Sequence, residues 1–102
     1  HIYIGHTFMN PSYRPMTDYV WITRYTPATG RTETFDIGTE AGIGVNAITT
    51  TDDTLYILGT GTDEEQVTLL TYNLPDMTER SRTTIHRPTG YGHRYPAGLI
   101  VP

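Results

Sequence analysis

The stretch from Thr54 to Ile85, TLYILGTGTDEEQVTLLTYNLPDMTERSRTTI, constrains the fold more than any other part of the chain. It holds three runs with apolar or β-branched residues at alternating positions: Leu55–Leu58, Val67–Tyr72 and a weaker one at Arg82–Ile85. The turns between them, GTGTDEEQ and NLPDMTERS, are polar and rich in Gly, Asp, Asn and Pro. Alternation with a period of two marks strands that bury one face, and turns of that composition reverse the chain. The stretch therefore predicts an antiparallel meander, and the chain carries the pattern twice.

Laid over one another, Val20-Trp21-Ile22-Thr23-Arg24-Tyr25 and Val67-Thr68-Leu69-Leu70-Thr71-Tyr72 share apolar first and third positions and a tyrosine at the sixth. The turns that follow, TPATGR and NLPDMTER, match in kind, and with one added residue Gly42 and Gly44 fall on Gly90 and Gly92. Ile2-Tyr3-Ile4 pairs with Leu55-Tyr56-Ile57, and Ala97–Val101 with Asn46–Thr50. A repeat of roughly 50 residues with four short strands is the period of a β-propeller blade. The expected fold is all-β: two four-stranded antiparallel β-propeller blades, cut out of phase. Repeat 1 spans about 2–43, repeat 2 about 44–91, and an extra inner strand about 92–102. A small β-sandwich is the alternative that the same turn spacing allows.

Composition supports this class. The chain is 36% hydrophobic and 18% charged, enough for a modest core and too apolar for a disordered segment. Cysteine and lysine are both absent, and the net charge is −4. Mild acidity disfavours a nucleic-acid partner, because phosphates reward a basic face. No apolar run approaches the ~18 residues of a membrane-spanning helix, so no membrane partner is expected. The chain starts at His1 with neither an initiator methionine nor a signal peptide, which points to processing, cleavage or excision. The histidines have no metal-ligand spacing, and Asp52-Asp53 and Asp63-Glu64-Glu65 read as solvated acidic turns. No metal and no cofactor is expected.

Three places carry chemistry. Phe8–Thr17 (FMNPSYRPMT) reads as a structured loop in which Tyr13 and Arg14 form a candidate ligand wall. In the strand after it, Val20, Ile22 and Arg24 alternate with Trp21, Thr23 and Tyr25, so the two sets point to opposite faces. Trp21 is a blade-packing residue or, alternatively, a sugar-stacking platform. Arg87–Val101 (RPTGYGHRYPAGLIV) is the most suggestive segment, since residues leading into an inner strand face the central channel of a propeller. There Tyr91 and Arg94 are candidate ligand-binding residues. His93, Arg94 and Tyr95 could together hold a carboxylate and exchange protons.

HRYPAGLIV, read on into a neighbour's IYIGH, resembles the opening strand pair of BNR-type and sialidase-like propellers. In those, an X-Arg-Ile/Leu-Pro motif places an arginine on a sugar carboxylate, which implies that role for Arg94. The segment is also similar to propeller polysaccharide lyases, which implies acid–base roles for His93 and Tyr95. No Asp-box is present, and Tyr95 stands where the motif has an aliphatic residue. Small two-blade lectins, which the chain resembles in architecture, close their ring with further copies.

Two blades cannot close alone, so neighbouring blades or identical chains are expected partners. Three functions compete. The first is a carbohydrate-binding propeller unit, extracellular or on a cell or virion surface. The second is part of a polysaccharide lyase or glycosidase acting on acidic sugars. The third is a structural or adhesion module. Binding is favoured over catalysis because no nucleophile–base set is visible.

Overall fold

A computed structural model of the chain describes residues 1–9, 15–37, 44–60, 66–86 and 98–99. The described residues form two antiparallel sheets and no helix. The first sheet runs β1 (Ile2–Met9), β2 (Pro15–Thr26) and β3 (Arg31–Asp36) in sequence order. The second runs β4 (Gly44–Thr50), β5 (Thr54–Thr60), β6 (Gln66–Asn73) and β7 (Thr78–His86), also in sequence order. Each is a plain meander, and among the described residues the sheets do not close into a ring or barrel.

The expected strands from Ile2 to Ile85 are present, with two differences in extent. β1 and β2 reach into the segment read as a loop, to Met9 and back to Pro15, which pair with each other beyond a bulge. Pro15 is tolerated there because it opens its strand, where the missing N–H costs least. β7 is nine residues long rather than a short run, and every one is exposed. Its TERSRTTI sequence has no apolar face to signal a strand, so its ladder to β6 alone defines it. Of Ala97–Val101 only Gly98 and Leu99 are described, and neither is in a strand.

The turns after β2 and β6 share one hydrogen bond and differ at their prolines, Leu74–Pro75 being cis. Gly30 N–H donates to the Thr26 carbonyl at 2.9 Å, and Met77 N–H donates to the Asn73 carbonyl at 2.8 Å. Both turns end on a left-handed residue, Gly30 at φ 72° and Met77 at φ 59°. Glycine takes that conformation freely, while in the second copy methionine is held there against its preference.

The sheets pack face to face. Cross-strand partners share a face, so Ile22 of β2 with Gly5 of β1 looks toward the second sheet, beside Val20. Val20, Ile22, Val45, Leu55, Ile57, Leu70 and Tyr72 make one buried cluster. Each fully buried aliphatic side chain in it contributes on the order of 1.5–3 kcal/mol. The backbones come nearest along β4, which lies over β1 and β2. Gly5 permits this, because a Cβ there would sit 3.1 Å from Val45 Cγ1 and 3.2 Å from Ile48 Cγ2. Gly5→Val should therefore destabilise the fold by about 1–3 kcal/mol, the range for overpacking. A urea unfolding midpoint unchanged from the parent would show that the sheets do not meet there.

Candidate functional site

The head of β1 and the turns Thr26–Gly30, Thr51–Asp53 and Leu74–Met77 gather at one end of the molecule. Two hydrogen bonds span this end, His1 Nδ1 with Thr26 Oγ1 at 2.8 Å and Arg24 Nη1 to the Pro75 carbonyl at 2.7 Å. Between the sheets at this end lies an open cleft of about 450 Å³. His1 and Tyr3 form one wall, Thr50, Thr51 and Asp52 the second, Leu74 and Pro75 the third.

Arg24 joins two of these walls. It follows Val20 and Ile22 on the inward face of β2, so its guanidinium enters the space between the sheets, with only 11% of its side chain exposed. Nη2 donates to Glu33 Oε2 at 2.9 Å and Nη1 reaches the Tyr3 hydroxyl at 3.5 Å. The Phe35 ring lies beneath it, 5.1 Å from Cζ to the centroid. Tyr3, and after it Glu33, hold the guanidinium pKa above its ordinary value, against the burial that lowers it. Arg24 Nε is buried without a partner. A buried cation of this kind needs all its partners, because removing one leaves the charge uncompensated.

The acidic turn is built rather than merely solvated. Thr54 and Thr51 hydroxyls donate to Asp53 Oδ1 at 2.9 and 3.3 Å. Thr51 N–H donates to the Thr54 carbonyl, and Leu74 N–H to the Asp53 carbonyl, each at 2.9 Å. Arg80 Nη1 donates to Thr54 Oγ1 at 2.8 Å and Arg80 Nε to Asn73 Oδ1 at 2.7 Å. The β4–β5 and β6–β7 turns are thus tied into one unit. Among the described residues no three His, Asp or Glu side chains converge as metal ligands.

The sequence-predicted site residues divide unevenly. Tyr13, Arg14, Tyr91, His93, Arg94 and Tyr95 lie outside the described residues. The strand ends that lead into their segments, at Met9, Pro15 and His86, are at the end opposite the cleft. Trp21 is described. It stands on the outward face of β2 at 37% exposure, between its cross-strand partners His6 and Asp36. On the same face His6 Nε2 lies 2.8 Å from Thr23 Oγ1, which is 3.2 Å from Thr34 Oγ1. Tyr3, Arg24 and Asp52 were not picked out as a site by sequence. The available signal was a lone arginine continuing the Val20–Ile22 face. No protein family, curated protein or solved structure matches the chain.

Asp53 sets a pH dependence. The Thr54 and then Thr51 hydrogen bonds, with Arg80 nearby, hold its carboxyl below the ordinary 3.8. A depressed carboxyl stabilises the fold fully above its unfolded value and loses that contribution as pH falls through the folded one. Asp53→Asn should therefore lower the urea midpoint at neutral pH, and the gap to the parent should close below about pH 4. A gap of equal size across that range would contradict the assignment.

Proposed function

We propose that the chain is a carbohydrate-binding β-propeller unit that completes its ring with other copies or adjoining blades. The observation that carries this reading is the edge of β1, which no second strand pairs among the described residues. Edge strands invite pairing, and proteins blunt them with charge. The edges β3 and β7 carry Arg31, Glu33 and Asp36, and Glu79, Arg80 and Arg82. β1 has no Asp, Glu, Lys or Arg, and among the described residues β2 is its one sheet neighbour. Its outward residues Ile2 and Ile4 are 51% and 46% exposed, and the outward face continues through Trp21 and Tyr25.

Topology supports blades over a sandwich. A sandwich commonly passes strands between its two sheets, whereas consecutive blades are separate meanders joined once. Here three strands fill one sheet before four fill the next, so the first is short by its innermost strand. The nearest approach, of β4 to β1 and β2, fits blades fanning from an axis. In this reading Trp21 and Ile4 pack against the next blade. The carbohydrate ligand draws on ring and hydroxyl groups gathered at the sheet ends. On an array of neutral and acidic glycans the chain should be retained by a defined subset. Silence across the whole array would contradict the carbohydrate reading.

A further inference from the structure

We propose that the cleft bounded by Tyr3, Asp52 and Pro75 binds a neutral pyranose, holding its hydroxyl edge on Asp52 and the threonines. This rests on the carbohydrate reading and assigns that ligand a place in the fold.

The chemistry of the walls selects the ligand. The His1 and Tyr3 rings, 6.5 Å apart and inclined by 59°, form an aromatic corner against which pyranose C–H groups can lie. Leu74 and Pro75 close the apolar side. Across the cleft stand Thr50, Thr51, whose hydroxyl donates to Asp53, and Asp52, whose carboxylate is an acceptor-only group that suits vicinal sugar hydroxyls. The volume of about 450 Å³ falls within the roughly 300–1,000 Å³ of small-molecule sites. Among the described residues two guanidinium groups lie near, Arg24 bonded to Glu33 and the Pro75 carbonyl and Arg80 to Thr54 and Asn73. At the Asp52 edge a uronate or phosphate meets like charge, whereas an uncharged sugar meets an acceptor for its hydroxyls.

The walls are also preorganised, which reduces the cost of ordering them on binding. Arg24 ties Tyr3 to Pro75, Thr26 steadies the His1 ring, and Leu74 N–H fixes the β6–β7 turn to the β4–β5 turn. Three separate elements therefore hold one cavity by bonds that leave Asp52 available.

The test is an amide-shift NMR titration of the whole chain with methyl glycosides of glucose, galactose and mannose, and with glucuronate as the anionic probe. At least one neutral glycoside should shift Tyr3, Thr50, Thr51, Asp52 and Leu74, and glucuronate should not. Asp52→Ala, an exposed turn substitution, should weaken that binding about tenfold or more through loss of charge-assisted hydrogen bonds. Thr50→Val provides a second, milder variant. Neutral-sugar binding that leaves these amides unmoved, or survives Asp52→Ala unchanged, overturns the cleft and leaves the carbohydrate reading standing. Stronger binding of glucuronate overturns the neutral-sugar assignment. No binding of any probe, with a silent glycan array, removes both.

Discussion

The near contact of β1 with β4 at Gly5 is the constraint on which the rest depends. Without a side chain there, Val45 and Ile48 can settle onto the first sheet, and the two inward faces share one core. Each sheet has an inward apolar face that must be buried against another layer. The Arg24 guanidinium adds a polar latch at one end, reaching across from β2 to the Pro75 carbonyl. Together these contacts decide how the sheets sit, and so which turns come together around the cleft.

The two sides of the first sheet differ among the described residues. The inward face of the first sheet is covered and its outer edge strand is charged, but among the described residues β1 has one strand neighbour and Ile2, Ile4 and Trp21 are exposed. Polar groups still organise that face, through the His6–Thr23–Thr34 row. Hydrogen-bonded hydroxyls beside exposed aliphatics describe a surface suited to being covered by another sheet, where unpaired polar atoms would be costly. On the second sheet, by contrast, β5 is buried along nearly its whole length.

Strand placement was legible because one physical signal, alternation against a core, repeats in Leu55–Leu58, Val67–Tyr72 and Val20–Tyr25. The Thr26–Gly30 turn was legible for the same reason that it forms, since glycine marks a left-handed position. Its counterpart at Met77 was legible only through the repeat. β7 was under-read because a strand exposed on both faces has no periodic signal, only backbone pairing. The cleft was not legible at all. Tyr3 and Asp52 are some fifty positions apart in the chain. Nothing local says that they face each other; the sheet packing does. Arg24 could have been singled out, because a charge in register with buried valine and isoleucine must find partners.

The central claim is that the first sheet needs a further strand beside β1 from outside these two sheets. Its most direct test is the solution mass of the 11.5 kDa chain by light scattering, followed by its unfolding over a concentration series. An associated species at a discrete multiple of that mass, with a midpoint that rises with concentration, is the predicted result. A sharp monomer with cooperative, concentration-independent unfolding would show that the β1 edge needs no neighbour, and the blade reading would fall.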